Sequence, residues 1–128
     1  MKRVTGIGGF FFTAGDTKEL LHWYEKHLGL EPEGSSFVFK WRGVNKPEEI
    51  GHTVLALFPT DTKYFQPSEK AYMINLRVEN LAQLLEVLRK EGVKVDDRIE
   101  EYEYGKFGWI MDPEGNRIGL WEPSDKKL

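Results

Sequence analysis

The sequence predicts an α+β fold, a mixed curved sheet made of two βαβββ modules around a groove. Three observations predict it. The same succession of segments, a strand, a capped helix and further strands, occurs twice along the 128 residues. Both helical segments open on a side chain suited to capping, Asp16 and Asn80, and close on a glycine, Gly29 and Gly92. The remaining apolar runs are short, rich in Phe, Val, Ile and Trp, and bounded by turn residues, as strands are.

Taken in order, residues 5–12 are apolar on both faces, which places this first strand inside a sheet. Asp16 then caps a helix. Glu19, three residues on, can return a hydrogen bond to the cap, and Leu20, Leu21, Tyr24 and Leu28 recur at helical spacing. Strands follow at 37–41 and 53–58, with a polar loop at 43–51 between them. The second half repeats the plan. Residues 73–78 form a strand, Asn80 caps with Gln83 at the return position, and Leu81, Leu84, Leu85 and Leu88 make the buried stripe of a helix. The turn at 112–116 joins strands 107–111 and 117–121 into a hairpin. Each half thus supplies one helix and about four strands. The expected organisation is one domain over 1–128: module one at 1–58, a linker at 59–70, module two at 71–122 and a tail at 123–128. Two open curved sheets, each covered by its helix on one side, leave their other faces to meet across a groove, the default ligand site.

Composition narrows the partners. With 18 basic against 21 acidic residues the net charge is −3, too balanced for electrostatic capture of nucleic acid or an anionic membrane. A hydrophobic content of 40% suffices for a core, while no apolar run approaches the roughly 20 residues of a membrane span. The absence of cysteine excludes thiolate chemistry and disulfides, and fits a soluble protein of the reducing cytoplasm.

Three stretches carry a resemblance: LLHWYEKHLGL at 20–30, INLRV at 74–78 and YGKFGWIMDPEGNRI at 104–118. Through them nearly the whole chain resembles the vicinal oxygen chelate superfamily, which contains glyoxalase I, fosfomycin and bleomycin resistance proteins and extradiol dioxygenases. The resemblance implies a metal held by four side chains, from the first and a later strand of each half. Such ligands are His nitrogens and Glu oxygens about 2.0 to 2.2 Å from the ion. Laid on this sequence, those positions fall at Gly9, Ala56, Met73 and Gly119. None of the four can hold a hard cation. Without the Lewis acid the glyoxalase and dioxygenase chemistries lose their driving group. The resemblance therefore implies a binder without metal or other cofactor, in the manner of the bleomycin-resistance branch, and by family habit a homodimer.

Several residues are candidates for the groove. His52 shares parity with Val54 and Ala56 and is the best candidate for a base or a replacement ligand, although a solvated loop end is the preferred reading. Asn75 and Arg77 share parity with Met73, and Arg77 can fork onto a carboxylate or phosphate or serve a structural ion pair. Phe11, Phe58, Tyr64, Phe65, Tyr104 and Trp109 can build an apolar pocket or lie in the core. Glu100, Glu101 and Glu103, interleaved with Tyr102 and Tyr104, form either an acidic aromatic rim or a solvated loop. Glu122 has opposite parity to Gly119 and points to the other face, while His22 and His27 read as wet helix surface.

The leading expectation is a small aromatic or amphipathic ligand bound without metal through Phe11, His52, Phe58, Tyr64, Asn75, Arg77, Tyr104 and Trp109. The rivals are a metal-assisted lyase, isomerase or dioxygenase that recruits His52 with Glu103 or Glu122, and a sensor or interaction module whose groove takes a peptide.

Overall fold

A computed structural model describes residues 3–124. Both helices begin where their caps stand. Asp16 and Asn80 adopt extended backbone, and their side-chain oxygens accept the N–H of Glu19 at 2.9 Å and of Gln83 at 3.1 Å. Each cap satisfies one of the amides a helix start leaves unpaired. Helix α1 (Thr17–Leu28) ends at Gly29, whose φ of +71° suits glycine, and α2 (Leu81–Lys90) ends at Glu91, just before Gly92.

Among the described residues nine strands form one sheet: β1 (Val4–Ala14), β2 (Pro32–Glu33), β3 (Ser36–Arg42), β4 (Ile50–Pro59), β5 (Tyr72–Val78), β6 (Lys94–Val95), β7 (Glu100–Tyr102), β8 (Gly105–Met111) and β9 (Arg117–Pro123). Their order is β2-β3-β4-β1-β5-β9-β8-β6, with β7 paired to β8. The expected pair of sheets is therefore joined, because β1 and β5 run antiparallel side by side. Each would otherwise present an open edge of unpaired backbone groups, and pairing the two repeat mates removes both edges. The ladder carries the repeat: Phe11 stands opposite Ala56 across the parallel β1/β4 pair as Asn75 stands opposite Gly119 across β5/β9.

Strand parity then sorts the two faces. Leu76 and Val78 of β5, Ile110 of β8 and Ile118 and Leu120 of β9 turn toward α2, where Leu81, Leu84 and Leu85 are buried. Each such leucine contributes about 1.5–3 kcal/mol on burial. Helix α1 sits less deeply; none of its residues is fully buried, and Tyr24 meets Phe37 with ring centroids 6.0 Å apart. On the opposite, concave face Phe11, Ala56, Phe65, Met73, Phe107, Trp109 and Trp121 form a second buried cluster.

Two segments read as connectors prove more ordered. Strand β4 begins at Ile50, not at residue 53, because the β3/β4 ladder continues through Lys40–His52, Trp41–Gly51 and Arg42–Ile50. A Cβ at Gly51 would fall on the Trp41 ring, so the glycine makes room for that indole. The stretch 59–70 carries Tyr64 and Phe65 onto the concave cluster, and the buried Arg117 holds it by donating to the Gln66 carbonyl. Of the expected tail, Pro123 ends β9 and the Ser124 N–H donates to the Tyr104 carbonyl. Residues 125–128, like Met1 and Lys2, lie outside the described residues. No helix among the described residues is long and apolar enough to cross a membrane.

Candidate functional site

Three rows of side chains cross the concave face. The middle row runs Val54, Gly9, Asn75 and Gly119 over β4, β1, β5 and β9, so two of its four members have no side chain. The row toward one end of the face, Ala56, Phe11 and Met73, is bulkier. The row toward the other end places Arg77 beside Trp121, with Phe107 opposite Trp121. The Phe11 ring fills the space over Gly9 and the Asn75 carboxamide fills that over Gly119, and a hollow lies beside them. Its volume is about 420 Å³, within the size range of small-molecule sites.

The walls are aromatic. Phe58 and Tyr64 stack with centroids 5.3 Å apart and planes within 8°, and Phe11 leans on both. Across the cavity Tyr102 and Tyr104 stack at 5.3 Å, Phe107 meets both edge to face, and Phe107 lies parallel to Trp121 at 5.8 Å. Burial pushes the Tyr64 phenol above its ordinary range. Glu100 is the one formally charged group lining the cavity among the described residues. The Tyr102 hydroxyl donates to Glu100 Oε1 at 2.6 Å, and this bond to the carboxylate pushes the phenol up to about 12.

Asn75 forms the floor. It is 1% exposed, and neither its Oδ1 nor its Nδ2 has a hydrogen-bond partner among the described residues. Leaving a buried polar group unsatisfied costs about 1–3 kcal/mol, so such groups need a reason. Glycines flank the carboxamide on both sides. A Cβ at Gly8 would fall on Oδ1, and one at Gly119 would stand 2.7 Å from Nδ2. Gly8 reaches this face because the β1/β5 register slips between Ile7 and Gly9.

The four positions implied for a metal, Gly9, Ala56, Met73 and Gly119, do lie on the adjacent strands β1, β4, β5 and β9. Their donor set does not fit the ion. It offers one thioether and no nitrogen or oxygen side chain, and the Asn75 carboxamide occupies the space beside Gly119. Among the described residues no group of three or more His, Asp or Glu side chains is placed so that it could hold a metal ion.

Of the residues the sequence singles out, Phe11, Phe58, Tyr64, Asn75 and Tyr104 line this cavity. His52, Arg77 and Trp109 are not among its lining residues. His52 is no loop end; it is buried within β4 at 5% exposure and borders a second hollow. The Arg77 guanidinium lies between the Trp41 and Trp121 rings, 5.1 and 5.2 Å from their centroids, and donates to the His52 carbonyl at 3.1 Å. Of this cation sandwich, Trp121 borders the first hollow while Trp41 and Arg77 border the second. Trp109 is packed beneath the Arg117 guanidinium, 4.9 Å away, at 1% exposure. Glu122 also borders the second hollow, but its Oε1 accepts the Leu81 N–H at 2.8 Å and so serves the start of α2. Glu103 is exposed in the turn before β8, and His22 and His27 are exposed on α1. Sequence reasoning missed Phe107 and Trp121 as lining residues. For Phe107 and Trp121 the signal was available, since they share parity with Trp109 and Gly119.

The model of the family described as the Glyoxalase/Bleomycin resistance protein/Dioxygenase superfamily matches residues 6–120. No curated protein sequence matches the chain. Among solved structures, methylmalonyl-CoA epimerase from Mycobacterium tuberculosis is similar at a TM-score of 0.62 and 18% identity, covering 97% of this chain and 91% of that one. Streptomyces coelicolor methylmalonyl-CoA epimerase in complex with 2-nitronate-propionyl-CoA gives 0.68 and 15% identity, with 94% and 99% covered. A superfamily member from Vibrio splendidus gives 0.58 and 12% identity over 91% and 97%. At these identities the likeness is one of fold.

Proposed function

The chain belongs to the Glyoxalase/Bleomycin resistance protein/Dioxygenase superfamily, and on that premise we propose that it binds a small planar aromatic or amphipathic molecule in the Asn75 cavity without a metal. The stacked aromatic walls over a floor of glycine and asparagine carry this reading. Burying about 200 Å² of apolar ligand surface contributes roughly 5 kcal/mol, and ring contacts add about 0.5–1.5 kcal/mol each. Those are gross terms, from which a cost of association of at least about 4 kcal/mol is subtracted. Glu100 favours a neutral or cationic ligand. An acyl-CoA, the class named in the epimerase complex, is anionic and finds no cation among the described lining residues.

We read the protein as a cytoplasmic homodimer. Support for the second copy comes from the outer face of β1 and β5, where Phe10, Tyr72 and Ile74 are exposed and Phe10 stacks on Tyr72 at 6.0 Å.

The test pairs elemental mass spectrometry of tag-free protein with titration by quinoline and acridine, read through tryptophan fluorescence, since Trp121 lines the cavity. Saturable quenching that EDTA leaves unchanged, with metal far below stoichiometry, is the expected result. About one tightly held ion per chain, or binding abolished by EDTA, would overturn the metal-free reading and restore a metal-assisted enzyme.

A further inference from the structure

We infer that Asn75 is the recognition group of this cavity and that the ligand presents an adjacent N–H and C=O, the edge of a planar lactam or cyclic amide. The inference rests on the preceding reading and deepens it. A carboxamide offers one acceptor and one donor side by side, and a ligand with the opposite pair in the same plane meets both at once. Three observations point Asn75 to that task. It is buried to 1% exposure with both polar atoms unpartnered among the described residues. It lines the cavity, with its carboxamide between Gly8 and Gly119. The carboxamide is also confined, with Oδ1 against Gly8 and Nδ2 against Gly119, so it meets a ligand already oriented.

A site built to hydrogen-bond its ligand rejects an analogue lacking that pair more strongly than an apolar pocket rejects a change of shape. Hydrocarbons and simple amines fill the same aromatic walls but leave the floor unsatisfied. Glu100 stands on β7, remote in sequence from this edge, and accepts the Tyr102 hydroxyl, so it does not duplicate the role.

The experiment titrates the full chain by calorimetry with isoquinolin-1(2H)-one, its N-methyl derivative and isoquinoline, then repeats the series on Asn75→Leu. The unsubstituted lactam is expected to bind about tenfold tighter than either control. Asn75→Leu should remove that preference and leave isoquinoline within about twofold of its original affinity. Equal binding of all three by the unaltered chain overturns the role of Asn75 while the aromatic cavity stands. Binding of none overturns the cavity reading itself and the inference with it. Should Asn75→Leu fail to fold, the discrimination among the three probes by the unaltered chain decides the matter alone.

Discussion

Replacing Gly119 by alanine puts a methyl group where the Asn75 carboxamide lies. The added Cβ would stand 2.7 Å from Nδ2 and 3.5 Å from the Met73 Cε. The second distance is an ordinary contact and the first is not. The amide cannot retreat freely, because its oxygen already occupies the space a side chain at Gly8 would take, and Trp121 lies beyond it. Forcing one methyl into a packed interior costs about 1–3 kcal/mol, and a value near 2 kcal/mol fits an overlap borne by one short side chain. For a chain of this length that lowers the midpoint of thermal unfolding by roughly 6–10 °C. Circular dichroism melts of the parent, Gly119→Ala, Asn75→Ala and the double variant form a cycle. With the carboxamide removed the methyl finds room, so Gly119→Ala should cost less than about 0.5 kcal/mol in that background, leaving a coupling above about 1 kcal/mol. A Gly119→Ala melt within about 2 °C of the parent, or an equal loss in both backgrounds, would refute the packing of Asn75 between the two glycines.

Arg77→Ala removes the guanidinium between Trp41 and Trp121, and a loss of about 2 kcal/mol in urea unfolding is expected, with Arg77→Lys failing to restore it. Tyr102, raised to about 12 by its bond to Glu100, should ionise above its ordinary range in an ultraviolet titration, and Glu100→Gln should lower it. Its folded pKa is raised, so the stabilisation is full below the ordinary value of 10 and fades as pH climbs toward 12. Asp112 titrates below its ordinary range, first because the Asn116 side chain donates to it. Its contribution to the turn is therefore present above pH 3.8 and lost as pH falls through the lowered value. Following the Asp112 carboxylate by NMR should show its pKa rising in Asn116→Ala, and an unchanged value would contradict the assignment.

Local chemistry was the legible part. Asp16 and Asn80 cap from within three residues of their targets, and parity grouped Asn75 with Met73, which the concave side bears out. The repeat also aligned Gly9 with Met73 and Ala56 with Gly119, a register the strand ladders carry. What escaped depends on contacts between distant segments. The slip that turns Gly8 inward is a property of the β1/β5 pair, not of either strand. Arg77 and His52 have the expected parity, but the Arg77 guanidinium lies between the Trp41 and Trp121 rings, and of these Trp121 is the one that lines the aromatic cavity. Glu100 and Tyr102 sit on a three-residue strand that pairs only with β8, too short to announce itself by alternation.

The matched positions of Phe11 and Asn75 in the two modules bear on how a guest molecule sits. A scaffold with two alike halves would offer a planar guest two equivalent poses, related by the pseudo-dyad between β1 and β5. Here one half presents a ring and the other an amide at the same station, so the degeneracy is broken at its centre. A duplicated frame thereby encloses a cavity whose two halves differ, and one matched pair of positions already tells them apart.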